Sequence, residues 1–251
     1  MARHIADSRL PTIEEQRGCW DWHWQNWQGR RAINEWVRKR GERVLQILSS
    51  LGLSRPAVLD LGCGMGWFSD ELSRFGPVTG IDLSEEAIAQ AKANYPHVTF
   101  MAGNALTHPL PVGQFDVVVS QEVLAHVDDQ ARFVRVAAAA LRPGGYLIVT
   151  TANRFVTGRL GKGWDDWPRE HIERFVDRRG LKRLLSLHFR VLRTTSMIFL
   201  GDKGILRWAN APKLNRALSF LLTERGLEAL KERAGFGYFL IALAQKKDPG
   251  P

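Results

Sequence analysis

The sequence predicts an α/β fold: a doubly wound, mainly parallel seven-stranded sheet with helical lid insertions. Three observations carry this. Short apolar runs that read as buried strands alternate with helical stretches through the middle of the chain. The first run, Val58-Leu59-Asp60-Leu61, opens into Gly62-Cys63-Gly64-Met65-Gly66 and then a helix start. The second, Gly80-Ile81-Asp82-Leu83, ends in a carboxylate sixteen residues after Gly66.

Taken in chain order, residues 1–19 read as a loose polar arm. Residues 20–27 then hold four of the nine tryptophans, Trp20, Trp22, Trp24 and Trp27. Residues 28–51 read as an amphipathic helix whose apolar set is Ile33, Trp36, Val37, Val44, Leu45, Ile47 and Leu48. Strands are expected at 57–61, 77–81, 97–101, 115–120 and 145–151, and helices near 66–75, 84–94 and 129–141. Strand–helix–strand units of this length require right-handed crossovers and a parallel sheet. Residues 152–175 form a loop-rich insertion, 177–188 a helix, 189–199 a sixth strand, 202–235 a second insertion and 236–245 the last strand. The chain thus divides into an arm with its first helix (1–55), a cofactor-binding core (56–151), and the rest of the same α/β domain with its two insertions (152–251).

Composition narrows the classes. The chain has 251 residues and 45% hydrophobic content, enough for one large domain with a real core. Two cysteines, Cys19 and Cys63, supply neither a disulfide framework nor a metal cluster. No run of about 18 apolar residues occurs, and the first residues lack an apolar signal core, so the expected location is the cytoplasm. The net charge of +9 is uneven: residues 56–151 hold 5 basic against 10 acidic residues, and residues 152–251 hold 20 against 10. The basic half suits an anionic substrate, lipid head groups or nucleic acid, or is simply a solvated surface.

The glycine turn is the strongest chemical signal. Glycines let the backbone turn sharply and let a ligand lie against the main chain at a helix start. An acid about 20 residues beyond the first glycine, at the next strand end, is where nucleotide-binding folds hold a ribose diol. Asp82 stands there, and Leu83 follows it. The two segments together describe a pocket for an adenosine-bearing cofactor. The spacing G-x-G-x-G places Trp67 where a dinucleotide fingerprint needs a small residue, which argues against a pyrophosphate ligand and a nicotinamide oxidoreductase. The alternatives are a tight connection for the turn, a helix-capping role for Asp82 before Ser84-Glu85-Glu86, and a small packing residue for Cys63.

Asp60-Leu61-Gly62-Cys63-Gly64 resembles motif I of the class I S-adenosylmethionine-dependent methyltransferases, and the resemblance extends over most of the chain. Asp82 matches that family's ribose-binding acid and Gly103-Asn104-Ala105-Leu106 its adenine-side loop. Phe115 to Ser120 matches the fourth strand, and Leu141 to Ile148 the turn into the fifth. The resemblance implies an antiparallel last strand, S-adenosylmethionine as cofactor, and contacts to it from Asp60, Gly62, Cys63, Gly64, Gly66, Asp82, Leu83, Asn104, Ala105, Gln121 and Glu122. Glu122-Val123-Leu124-Ala125-His126-Val127, Thr151-Ala152-Asn153-Arg154 and His171-Ile172-Glu173-Arg174-Phe175 look like the ubiquinone-biosynthesis O-methyltransferases and their relatives. In that group an arginine near the N-terminus binds the cofactor's carboxylate; Arg31 is the match, and Trp20 the match to the aromatic segment before it. The group carries E-x-x-E-H after the fourth strand and can hold a divalent metal. Here Ala125 replaces the second acid, so no tightly bound metal is expected.

The implied function is methylation of a small-molecule or lipid-linked acceptor, most simply at a hydroxyl. His126 is the first candidate for a general base and His171 the second; the alternatives are a hydrogen-bonded structural histidine and a solvated loop residue. Trp20 and Trp24 either cover the sulfonium, whose charge an aromatic face attracts, or pack the first helix onto the sheet. In the second insertion Leu214, Leu218, Leu221 and Leu222 share a helical face among Lys203, Arg207, Lys213 and Arg216. That face lies on an anionic membrane, roofs an apolar pocket or covers the sheet edge. A binding or regulatory protein that keeps the fold without turnover is the rival reading. A nucleic-acid methyltransferase is disfavoured, because Ser120-Gln121-Glu122-Val123 stands where such enzymes carry Asn/Asp-Pro-Pro-aromatic.

Overall fold

The two-residue period of the strands decides the architecture. In β4 (Phe115–Gln121), Val117 and Val119 face one side of the sheet and Val118 the other, and all are fully buried. Both faces must therefore be covered. In this computed structural model, which describes residues 9–27, 35–160, 171–199, 226, 230 and 232–248, helices cover both.

The other elements are α1 (Ile13–Trp27), α2 (Glu35–Ser50), β1 (Val58–Leu61), α3 (Trp67–Ser73), β2 (Val78–Asp82), α4 (Glu85–Asn94), β3 (Thr99–Ala102), α5 (Gln130–Ala140), β5 (Leu141–Ala152), α6 (Arg154–Thr157), α7 (Arg178–Leu185), β6 (Phe189–Phe199) and β7 (Gly237–Lys246). A single 3₁₀ turn, Leu124–His126, follows β4. The sheet runs β3-β2-β1-β4-β5-β7-β6. The first five are parallel, with Val58 beside Val78 on one side and Val117 on the other. β7 is antiparallel to both β5 and β6. Strand order reverses between β1 and β4, and the crevice beyond the carboxyl ends of those strands is the expected ligand position.

On one face α2, α3 and α4 pack Val44, Leu48, Phe68, Leu72 and Ile88 onto Val58, Val117, Val119 and Ile148. On the other, α5 and α7 pack Phe133, Val134, Leu181 and Leu185 onto Leu59, Val118, Leu147 and Leu240. Each such buried side chain is worth roughly 1.5–3 kcal/mol, so the sheet is held from both sides. A third cluster, with Ala152, Val156, Tyr238 and Phe239, closes the carboxyl-end rim beside β5 and β7.

Two expectations change. The arm of residues 1–19 is helical from Ile13, because Thr12 and Glu15 form a capping box: Glu15 N–H donates to Thr12 Oγ1 (3.2 Å) and Thr12 N–H to Glu15 Oε2 (2.7 Å). The loop-rich insertion at 152–175 contains α6, capped by Asn153, whose side chain accepts from Phe155 N. The helix expected at 28–51 is seen as Glu35–Ser50, and residues 28–34 lie outside the described residues. So does most of the 202–235 insertion. Among the described residues no helix is long and apolar enough to cross a membrane.

Candidate cofactor site

The site grows from the turn between β1 and α3. Gly62 (φ 89°) and Gly64 (φ 52°) adopt the left-handed backbone that side chains resist. Space excludes larger residues as well. A Cβ on Gly62 would stand 2.1 Å from Val123 Cγ2, and one on Gly64 2.7 Å from the Trp24 ring. The turn is pinned by Gly62 N–H and Cys63 N–H, both donating to Ile81 O at 2.8 and 3.0 Å. Gly66 precedes the first residue of α3, where no side chain caps the helix. Cys63 is buried, and a Cβ on Gly80 would meet its Sγ at 2.9 Å, so it is a packing contact between the first two strands.

The two aspartates differ. Asp60 is 2% exposed and accepts Ser69 Oγ at 2.7 Å, which ties β1 to α3 behind the turn. Burial pushes its carboxyl up to about 7, against the Ser69 hydrogen bond and with help from nearby Asp82. Asp82 lies at the front: Oδ2 accepts Gly64 N–H at 2.8 Å and Oδ1 accepts Ser84 N–H at 3.0 Å. Desolvation raises its pKa, and the backbone amides of Ser84, Gly64 and Leu83 oppose the rise. A carboxylate has about four lone-pair sites, more than these amides fill, so Asp82 keeps acceptor capacity for a ribose hydroxyl. Leu83 follows at the half-buried rim. Beyond β3, Asn104 Oδ1 accepts Leu106 N–H at 2.9 Å, and Asn104 O accepts the amides of Thr107 and His108. This folds the Asn104-Ala105 loop back, and Gly103 N–H bonds to Asp82 O at 2.8 Å.

α1 closes the front. Asp21 Oδ1 accepts Ser84 Oγ (2.5 Å) and Glu86 N–H (3.3 Å) at the start of α4. Three residues on, Trp24 lies against Gly64. Trp20 meets the rings of His126 and His171 edge-on, at 5.3 and 5.2 Å between centroids. One helical turn of α1, from Trp20 to Trp24, thus reaches both the histidines and the glycine turn.

At the end of β4 stands a buried polar group. Arg40, 8% exposed, donates from Nε to Gln121 Oε1 at 3.1 Å, places Nη1 3.8 Å from Glu122 Oε1, and lies 4.8 Å over the Phe239 ring. Glu122 accepts Thr150 Oγ1 at 2.7 Å and sits in the left-handed region (φ 60°), a conformation that costs a non-glycine residue roughly 1–3 kcal/mol. Desolvation lowers the pKa of Arg40 and raises that of Glu122. Arg31, matched from the resemblance, lies outside the described residues. Arg40 is the described cation that reaches this place, and sequence reasoning missed it. The signal was there: positions 40, 44 and 47 form one helical stripe, and Arg40 occupies it with Val44 and Ile47.

The two histidines come together. His126 and His171 stack at 4.4 Å. His126 Nδ1–H donates to Ile172 O at 2.8 Å, which leaves Nε2 as the acceptor of a neutral ring. Burial, and then His171, hold its pKa down at about 4. His171 Nδ1 lies 3.6 Å from Glu173 Oε1. The two segments that carry them are joined by Arg174 N–H on Ala125 O and by Gln130 Nε2, which bridges Leu124 O and Arg174 O. Glu122 makes its contacts with Thr150 and Arg40, and among the described residues no cluster of three or more His, Cys, Asp or Glu is arranged to hold a metal ion.

The arrangement has a counterpart among known proteins. Residues 59–149 match the family described as "Methyltransferase domain". A protein of Mycolicibacterium smegmatis named "Probable S-adenosylmethionine-dependent methyltransferase" is 41% identical over 129 residues, covering 50% of this chain and 49% of its own length. The chain thus spans about half of that relative. A ubiquinone biosynthesis O-methyltransferase of Methylobacterium sp. (strain 4-46) is 32% identical over 193 residues, 68% of this chain and 73% of its own. The crystal structure of the N-methyltransferase NodS from Bradyrhizobium japonicum, in complex with S-adenosyl-L-homocysteine, superposes with a TM-score of 0.63 at 18% identity, over 94% of this chain and 100% of NodS, a likeness of fold. The chain belongs to the S-adenosylmethionine-dependent methyltransferases.

Proposed function

We propose that the protein transfers a methyl group from S-adenosylmethionine to a hydroxyl of a small-molecule or lipid-linked acceptor. The observation that carries this is the convergence, at the switch between β1 and β4, of a glycine-lined turn, a front-facing aspartate and a buried arginine, with two histidines beside them. The name of the Methylobacterium relative supports oxygen as the acceptor atom.

In this reading Asp82 holds the ribose diol, and Leu83, Asn104 and Ala105 border the adenine. The backbone from Gly62 to Gly66 lies along the ligand, and Gln121 and Arg40 receive the carboxylate end. When bound, the sulfonium supplies an activated methyl whose leaving sulfide needs no proton. The chain's task is then to align the acceptor, exclude water and, for a hydroxyl, take up one proton. Trp20 and Trp24 exclude water from above. His126, kept neutral by burial, offers Nε2 as an acceptor that orients the hydroxyl. His171, stacked on His126 and with Nδ1 3.6 Å from Glu173 Oε1, is the second candidate to take the proton.

Calorimetry of the purified protein with S-adenosylmethionine and S-adenosylhomocysteine tests the reading first; binding of neither overturns it. Donor consumption is then measured over a panel of hydroxyl-bearing acceptors. Turnover with amines alone would move the acceptor atom from oxygen to nitrogen. Binding without turnover on any acceptor would favour the regulatory alternative.

A further inference from the structure

Much of the positive charge of the C-terminal half is concentrated in one stretch. From Arg178 to Arg193 the chain carries six Arg or Lys and no Asp or Glu. The stretch runs through α7, a short turn and the start of β6. Its apolar period decides which way the charges face. Leu181, Leu185 and Phe189 recur at every fourth position and are buried in the core shared with α5 and the sheet. Arg179, Lys182 and Arg183 lie between them and are exposed. β6 ends the sheet, and among the described residues no strand pairs with its outer edge. Arg190 and Arg193 are exposed on that strand.

The fold uses two of the six cations. Arg178 donates to the carbonyls of Arg233 and Thr194, and Arg190 to Gln245 Oε1 at 2.6 Å. Among the described residues no ion pair or side-chain hydrogen bond engages Arg179, Lys182, Arg183 or Arg193. Charge on an edge strand guards it against pairing with another sheet. That role does not account for the leucines between the charges. Leu187, in the turn after α7, is 57% exposed, and Leu192, at the irregular step between Val191 and Arg193, is 45% exposed. Six large apolar side chains are exposed among the described residues, and two of them lie in this stretch.

The mixture selects its partner. A second copy of the chain would set like charges against each other. A nucleic acid would leave the leucines in water and find no ring to stack on, since Phe189 is buried. A bilayer with anionic headgroups satisfies both kinds of side chain, the cations at its surface and the leucines at the boundary below. We propose that the outer face of α7 and the start of β6 form a docking surface for a bilayer rich in anionic lipid, with Leu187 and Leu192 entering its apolar boundary. The surface is separate from the 202–235 insertion, and it stands apart from the methyl-transfer reading.

Co-sedimentation of the full chain with vesicles tests this without cofactor or acceptor. Mixed phosphatidylcholine–phosphatidylglycerol vesicles are compared with phosphatidylcholine alone. Binding to the mixed vesicles alone, falling as salt is raised, is expected. The double variant Lys182→Gln, Arg183→Gln should weaken it about 30-fold, since each cation near the surface contributes about fivefold. Leu187→Ser should weaken it about 10-fold and leave the salt dependence unchanged. Arg74→Gln with Lys92→Gln removes the same charge from α3 and α4, on the opposite face of the sheet, and should have a much smaller effect. Equal binding to the neutral vesicles, no vesicle binding at low salt, or equal losses in the two double variants would overturn the proposal. An oligonucleotide that displaces the vesicles and binds Leu187→Ser undiminished would assign the surface to nucleic acid instead. A dimer in sedimentation that Leu187→Ser dissociates would assign it to a second copy.

Discussion

The two halves of the crevice are made of different material. The cofactor side is mostly main chain: a turn with left-handed glycines, amides from Gly64 and Ser84 on Asp82, and carbonyls of Ile81 and Asp82 that fix the loops. In the proposed reading the acceptor side is mostly side chain: Trp20 on α1, His126 after β4, and His171 and Glu173 before α7, which meet only when distant segments pack. Backbone geometry is set by local sequence and tolerates little variation. Side-chain geometry is set by tertiary contacts and can change without loss of the sheet. One family can therefore keep its cofactor and change its acceptor.

The largest expected effect falls on the backbone side. Asp82→Ala removes both amide contacts and the diol acceptor, and should lower S-adenosylhomocysteine affinity by about 100-fold or more, since charged hydrogen bonds are each worth about 1.5–3 kcal/mol. Unchanged affinity in calorimetry would break the comparison at its root. Next comes Gly62→Ala, which combines a left-handed φ of 89° with a contact of 2.1 Å to Val123. Strain and overpacking together predict a loss of about 3 kcal/mol in urea denaturation. Val123→Ala added to it should restore only the part due to contact.

Each side carries one buried group whose shift makes stability depend on pH. His126 is held at about 4 against an ordinary 6.5, so the folded protein refuses a proton that the unfolded chain accepts. Its contribution is intact above 6.5 and is lost as pH falls toward 4. Asp60 is held at about 7 against 3.8, so the folded protein takes a proton first, and its contribution grows as pH falls across that window. Between pH 7 and 5 each is worth on the order of 2 kcal/mol, with opposite sign, and the unmodified protein should show little net slope from this pair. His126→Gln should become more stable relative to pH 7 as pH falls to 5, and Asp60→Asn less stable. Parallel slopes in the two variants would refute the assignment. The same His126→Gln should cut turnover about 100-fold with cofactor affinity kept. The smallest effect is at the α1 cap: Thr12→Ala should cost about 1 kcal/mol and leave the site's chemistry alone.

What was legible in the sequence follows the same division. The strands at 58–61, 78–82 and 115–121 and the turn between the first strand and α3 were readable because local periodicity and glycine positions dictate them. The antiparallel β7 came from resemblance, since no local pattern fixes strand direction. Arg40 was overlooked because its charge hid its place on a buried stripe, and Thr150 because a threonine inside an apolar strand looks like any other β-former. The His126–His171 stack joins residues 45 positions apart in the chain, and nothing nearer than the finished fold encodes it.

β7 lies between β5 and β6, yet it is made after both. During synthesis the ribosome releases β6 with no partner strand of its own, and the gap beside β5 stays open until residues 237–246 emerge. The same strand brings Phe239 under Arg40. A nascent chain halted short of it would carry the whole glycine turn and still lack the floor beneath its arginine, so the crevice is complete only once β7 has joined the sheet.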